Sequence, residues 1–531
     1  MTDFLLAVLP IGFLVVAMTL PRPLPSTVTF ALGSALAYGI GRLYFDHPLV
    51  LLNAGALKGL LDAITPISII FGAILFFVAM EKSGAMGALQ QWLRGLSDNP
   101  VAQIMIVGFA FVFLIEAAAG FGSPAALAAP ILVGLGFPAL RVAVLCLVFN
   151  TIPTAFGAAG TPLWFGFELL QLPREEMLAL GWQGAVFQAC AGLIVPIVSL
   201  RILLPWRTIG RNLVFILLSL LVCILPMLAV ARLSYEFPAV AGGVIGLPAT
   251  ILLAHFGIGL EKPEAPAVRA PLWSPSVTVA LVPLSLAVLV LLLTRLPLYG
   301  LRDWLTSSPA ALNLSLGPLG EASLSSSLVV RVQDILGQGL SWSHATLYVP
   351  SIIPFVPAAA LALLQGRCGP AVFAETLKAT FARIGTPVVA LFGALVFVNL
   401  LMIGGERAPA MILGHTLAQA AGDAWIYAAP FLGAVGSFFS GSTTISNLTF
   451  GPIQASIAEE TGVPLPFMLA LQLSGAAMGN MLCVHNIVAI CAVLSLVNAE
   501  GAILKKTLLP MLLYASVLAL VVLMMGMVGI R

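Results

Sequence analysis

Three windows of this chain, Leu213–Ala231, Val277–Thr294 and Thr507–Ile530, run on without a charged side chain. A helix needs roughly 20 apolar residues to cross the hydrocarbon core of a bilayer, and these windows are long enough. Composition extends the reading to the whole chain. Of 531 residues, 60% are hydrophobic and 8% charged, against about 25% charged in a soluble domain. Mean hydropathy is +1.10. The expected fold class is an all-α polytopic membrane protein.

Apolar runs separated by short charged punctuation predict roughly 12–14 transmembrane segments. Stretches 50–61 and 370–382 read as interfacial helices, and the polar stretch 302–343 as one long loop with room for short helices. Phe4–Leu20 lacks the basic flank of a signal peptide and reads as a retained first helix. The whole chain, 1–531, reads as a single integral membrane domain. Its N-terminal half covers about 1–260 and its C-terminal half about 270–531.

Several function classes are excluded. The net charge is +2, and no basic, aromatic-interleaved patch points to nucleic acid as a partner. The 6 cysteines sit singly in apolar contexts, with neither metal-ligand spacing nor a disulfide framework. With 5 histidines and no convergent nucleophile and base, the chain does not read as an enzyme, and no metal or cofactor is expected.

Two regions break the apolar pattern, one in each half. The first, 116–165, contains Glu116-Ala-Ala-Ala-Gly-Phe-Gly-Ser-Pro124 and Phe149-Asn-Thr-Ile-Pro-Thr154. The second, 425–482, contains Ser440-Gly-Ser-Thr-Thr-Ile-Ser-Asn447 and Gly475-Ala-Ala-Met-Gly-Asn480. Both follow one outline: a glycine breaker, then Pro-Ile (Pro130, Pro452), then a Gly-x-Pro turn (Gly136 to Pro138; Gly462 to Pro464), then a helix ending in polar residues. Non-helical backbone at membrane depth is tolerated only where protein or a water-filled cavity satisfies it. Paired interruptions in two halves point to a transporter's binding site. The expectation is two re-entrant hairpins in an inverted repeat.

Particular side chains stand out. Glu116 is the only charged residue between Asp98 and Arg141. An intramembrane carboxyl costs about 2.5–3.5 kcal/mol on insertion scales and is a functional candidate by default. Its expected role is taking up and releasing a proton. Gly120, Gly122 and Ser123 allow a sharp turn whose following half-helix offers amides and a positive dipole end to an anion. Gly441, Ser442, Thr443, Thr444 and Asn447 form a polar segment with no charge between Asp423 and Glu459. Its hydroxyls and amides suit a carboxylate, a hydroxyl group or a dehydrated Na⁺. His485, in the apolar run Met481–Val497, is a second candidate for the proton path.

These motifs resemble the L-lactate permease family of bacterial carriers. The resemblance is clearest in Glu116 to Pro124, similar to that family's Glu-Gly-Ala-Ala-Gly-Phe-Gly-x-Pro. It continues through Leu132 to Phe137 and through Asn150 to Gly157, and returns in Gly441 to Asn447 with Gln454 after it. Thr443 stands where the family pattern has Asp, and Gly479 to Asn486 stands in place of Gly-Lys-Met-Ile-Ser-Pro-Gln.

The resemblance implies a multi-pass secondary carrier of the bacterial inner membrane. Its cargo would be lactate or a similar small 2-hydroxy monocarboxylate, carried by proton symport. The alternative is a Na⁺-coupled carrier of another carboxylate. Under this reading Gly120, Gly122, Ser123, Asn150, Thr151, Gly441, Ser442, Thr443, Thr444 and Asn447 bind substrate, and Glu116 and His485 couple the proton. The partners are the carboxylate and the lipid bilayer, and the chain is compatible with a homo-oligomer.

Overall fold

The computed structural model describes every residue except 1, 20–23, 119, 121–122, 262–274, 296–299, 308, 350–351, 495, 497–498 and 528–531. The described chain is mainly helical. Five helices are long and apolar enough to cross a membrane: Pro100–Ala118, Arg174–Ile202, Leu213–Ala231, Pro238–His255 and Glu500–Met525. The bent pair Ala139–Thr154 and Gly157–Leu170, angled at 58°, forms a sixth if counted as one span. Shorter apolar helices include Thr278–Val290, Ile352–Gln365 and Trp425–Phe438. The chain divides into two compact units, each drawing on both halves: residues 1–88 with 275–416, and 89–274 with 417–531.

In the first unit, helix Leu49–Asp62 packs against the long helix Pro370–Met402. Glycine makes the close approach possible. A Cβ on Gly59 would stand 2.6 Å from the Val396 Cα. Nearby, Lys58 pairs with Asp62 at 2.8 Å, and Asn399 Nδ2 donates to the same carboxylate at 2.9 Å. The two stretches expected to be interfacial, 50–61 and 370–382, are both helical. The second is continuous with the helix that follows it.

The stretch expected to be one long loop is instead a four-stranded antiparallel sheet in the order β1-β2-β3-β4. The strands are β1 (Ala310–Ser315), β2 (Glu321–Ser325), β3 (Val329–Ile335) and β4 (Leu340–Ala345). Tight turns join them, with positive φ at Gly317, Gly320, Leu328, Gly337 and Gly339. The cause is one packed face, alternating in β4 and brought together in β3 by a register shift between Val332 and Ile335. In β3 and β4, Val332, Ile335 and Trp342 turn to one face and pack on Ala54, Leu57 and Leu61 of helix Leu49–Asp62. Low overall hydropathy hid the strands, and that register shift breaks the simple alternation that would have marked β3. On β4, His344 stacks on Trp342 with centroids 6.0 Å apart, and its Nδ1 lies 2.9 Å from the Thr65 hydroxyl. Burial holds the His344 imidazole below its ordinary pKa of 6.5.

In the second unit, the two broken regions fold through matching steps. The first runs as helix Val112–Ala118, a break at Gly120 (φ +64°), helix Ser123–Gly134, a turn at Gly136 (φ +97°) and helix Ala139–Thr154. The second runs as helix Trp425–Ser440, a break at Gly441 (φ +73°), helix Thr443–Thr461, a turn at Gly462 (φ +70°) and helix Leu465–Asn480. Each break falls on a glycine in the left-handed region, where a Cβ costs roughly 1–2 kcal/mol. Each returning helix starts just after a proline N-cap, Pro138 or Pro464.

Candidate functional site

Both breaks open onto one small cleft in the second unit. Its N-terminal wall is Glu116, Gly120, Thr154, Gly157, Ala158 and Pro162. Its C-terminal wall is Gly441, Ser442, Thr443, Thr444 and Asn480.

Glu116 is 2% exposed and sits in a chain of neutral hydrogen-bonding groups. Asn150 Nδ2 donates to Glu116 Oε2 at 3.2 Å and to Thr154 Oγ1 at 3.3 Å. Thr154 Oγ1 donates to the Asn150 carbonyl at 2.5 Å. Asn480 Nδ2 donates to the same Thr154 oxygen at 3.3 Å. Asn486 Nδ2 then donates to Asn480 Oδ1 at 2.7 Å. A continuous polar path therefore joins the N-terminal carboxyl to the end of the C-terminal helix Leu465–Asn480. Gly157 makes room for the carboxyl, since a Cβ there would lie 2.6 Å from Glu116 Oε1.

Behind Gly157 the backbone is strained. Ala158 (φ +45°), Ala159 (φ +53°) and Gly160 (φ +74°) form a left-handed stretch. Two alanines there cost roughly 1–2 kcal/mol each. Packing holds them. The Thr161 hydroxyl donates to the Ala158 carbonyl at 2.5 Å, and the Trp164 indole donates to the Ala159 carbonyl at 3.1 Å. Such strain concentrates at functional sites, and here it forms part of the cleft wall.

On the other wall, Ser442 is the N-cap of helix Thr443–Thr461, its hydroxyl accepting from the Ile445 amide at 3.4 Å. The first-turn amides of a helix have no intrahelical acceptor, and the positive end of the dipole is there. Thr443 and Thr444 therefore bring donors suited to an anion into the cleft. Among the described residues, neither the buried Thr443 hydroxyl nor Asn150 Oδ1 has a hydrogen-bond partner. Buried polar atoms are almost always paired, so both oxygens are available to something else.

A polar core supports this wall from behind. Ser446 Oγ donates to the Gly433 carbonyl at 2.7 Å. Gln472 Nε2 donates to Ser446 Oγ at 3.2 Å and to Asn447 Oδ1 at 3.4 Å. Gln454 Nε2 donates to Gln472 Oε1 at 3.1 Å, and the Trp425 indole donates to Gln454 Oε1 at 2.7 Å. Asn447 Nδ2 crosses to the first broken region, donating to the Pro162 carbonyl at 2.9 Å.

Of the residues singled out in the sequence, the cleft brings together Glu116, Gly120, Gly441, Ser442, Thr443 and Thr444. Asn150 stands behind Glu116 and is held to it. Thr151 is buried and donates to the Leu147 carbonyl within its own helix at 3.2 Å, away from the cleft lining. Asn447 likewise lies outside the lining, in the polar core. Gly122 lies outside the described residues, as do the side chains of Ser123 and His485. Sequence reasoning did not assign Thr154, Gly157, Ala158, Pro162 or Asn480 to the site. Thr154 and Asn480 had a signal, since each is the polar last residue of a helix following a break. Ala158 had none. Among the described residues no group of three His, Cys, Asp or Glu could hold a metal ion.

Apolar helices of spanning length, together with a small polar cleft built from two broken segments, define a membrane transport protein. The L-lactate permease family matches residues 3–529, and the chain belongs to that family. A Haemophilus influenzae relative provisionally named an L-lactate permease is 42% identical over 520 residues, covering 98% of each chain. The Escherichia coli L-lactate permease is 27% identical over 555 residues, covering 97% of this chain and 94% of its own. The E. coli glycolate permease is 27% identical over 559 residues, covering 99% and 96%. The family is one of permeases, not of enzymes.

Proposed function

We propose that this permease carries lactate or glycolate, as a small 2-hydroxy monocarboxylate, across a bacterial inner membrane together with protons. The names of its relatives support the substrate class. The observation that carries the coupling is the position of Glu116, a buried carboxyl in the wall of the cleft that also holds the start of helix Thr443–Thr461. The first-turn amides and the Thr443 hydroxyl receive the substrate carboxylate. No cation is among the described residues lining the cleft. Two negative charges in one small cleft repel, so the substrate anion and a proton on Glu116 enter together.

The test is uptake of labelled L-lactate and glycolate into proteoliposomes under an imposed pH gradient without Na⁺. Accumulation that collapses with a protonophore supports the reading. Accumulation only when Na⁺ is supplied overturns the proton coupling. No uptake of either carboxylate by folded protein overturns the substrate assignment.

A further inference from the structure

Asn150 is the group on which the structure says most beyond this reading. Its side-chain nitrogen is fully used, on Glu116 Oε2 and on Thr154 Oγ1. Its side-chain oxygen is buried and has no partner among the described residues. An orphaned buried acceptor costs about 1–3 kcal/mol, and here it belongs to the same amide that holds the carboxyl.

We propose that Asn150 is a two-position amide that reads the protonation state of Glu116, a positioning role that rests on Glu116 being the proton carrier. With Glu116 ionised, Asn150 Nδ2 donates to the carboxylate, as the structure has it. When a proton binds Glu116, the new O–H is a donor and needs an acceptor. Rotation of the amide about its last torsion, which is broad for Asn, turns Oδ1 to receive it. No covalent bond changes, and the proton remains on Glu116.

The rotation has a consequence for the second broken region. Thr154 Oγ1 now accepts from both Asn150 and Asn480. Once the Asn150 nitrogen has turned away, Asn480 is the remaining one of these two donors. Asn480 also receives Asn486, across the break that follows helix Leu465–Asn480. The proton on one broken segment is thereby reported to the other through Thr154 and Asn480.

Among the described residues, the groups facing Glu116 are neutral. Helix Ala139–Thr154 contributes Asn150 and Thr154, and the next segment contributes Gly157. The C-terminal wall contributes Thr443, Thr444 and Asn480. Helix Pro238–His255, packed on Val112–Ala118, presents Gly243 to Leu114, and its only ionisable side chain is His255 at the far end. Glu236 lies against Gly160, behind the strained turn. Glu116 is thus the ionisable group this amide addresses.

The experiment reconstitutes wild type, Glu116→Gln, Asn150→Leu and Asn150→Ser. Each is assayed for net L-lactate uptake driven by a pH gradient and for L-lactate counterflow at zero gradient from pH 5 to 8. In Asn150→Leu the ratio of net uptake to counterflow is expected to fall about tenfold, and the counterflow pH profile to move. In Asn150→Ser the ratio is expected to recover in part, because a hydroxyl can give or take a hydrogen bond. If Asn150→Leu keeps the wild-type ratio and profile while Glu116→Gln is uncoupled, the amide switch is overturned and the proton role of Glu116 stands. If net uptake and counterflow fall together in Asn150→Leu, and Asn150→Ser has the wild-type profile, the role is structural and the switch is overturned. If wild type shows no pH-driven uptake, the proton reading fails and the switch with it.

Discussion

At the scale of single residues, the cleft depends on what glycine omits and what amides hold. Gly157 gives Glu116 its seat, because a Cβ at that position would stand only 2.6 Å from the carboxyl oxygen. Gly157→Ala is expected to displace the carboxyl and lower the initial rate of L-lactate uptake at least tenfold, normalised to folded protein. Overpacking of this kind costs about 1–3 kcal/mol, so the variant should still fold. Asn447 makes the opposite prediction. Its amide satisfies the Pro162 carbonyl, and losing that donor costs about 1–3 kcal/mol. Asn447→Leu is expected to lower the thermal unfolding temperature while leaving the half-saturation concentration for L-lactate near wild type. A large rise in half-saturation with unchanged stability would instead put Asn447 on the substrate. Glu116 was legible in the sequence because a lone carboxyl in an apolar run is a functional candidate by default, although a helix cap near the membrane surface would also have explained it. The left-handed Ala158 and Ala159 were not, because alanine carries no mark of the backbone it is forced into.

At the scale of elements, both helix breaks were legible and the sheet was not. Glycines flanked by hydroxyl and amide residues inside apolar stretches cannot face lipid as continuous helix, and Gly120 and Gly441 do terminate helices with positive φ. Gly120→Ala is expected to impair uptake, because it adds left-handed strain and sets a Cβ 3.0 Å from the Ala158 Cβ. Residues 310–345 were misread because their mean polarity and the register shifts in β1 and β3 masked the one packed face, which docks on helix Leu49–Asp62. The same docking carries a pH prediction. His344 is buried as a neutral ring beside Thr65, near the positive N-terminal end of helix Ile64–Lys82. Its folded-state pKa is lowered by burial, so the stability it contributes is present above the ordinary value of 6.5 and is lost as pH falls below it toward the folded value. Amide hydrogen exchange across residues 310–345 should therefore quicken between about pH 7.5 and about pH 5 relative to its intrinsic rate, and His344→Phe should flatten that dependence. Equal pH dependence in both proteins would refute the role of His344.

At the scale of the whole molecule, the two halves of the chain contribute matching series of break, helix, turn and helix to one compact unit, and the cleft forms where the breaks meet. The outline was visible in the spacing of Gly, Pro-Ile and Gly-x-Pro. That both breaks would serve one site was also an expectation from the sequence; the tertiary bonds that join them, such as Asn480 to Thr154 and Asn447 to Pro162, were not legible. The central claim is that this cleft moves a carboxylate and a proton together through Glu116. Its most direct test records proton entry and labelled L-lactate entry at the same time in proteoliposomes holding wild type or Glu116→Gln. The account predicts that protons enter with lactate in wild type, and that Glu116→Gln abolishes proton entry and accumulation against a gradient. Proton-coupled accumulation by Glu116→Gln would contradict it.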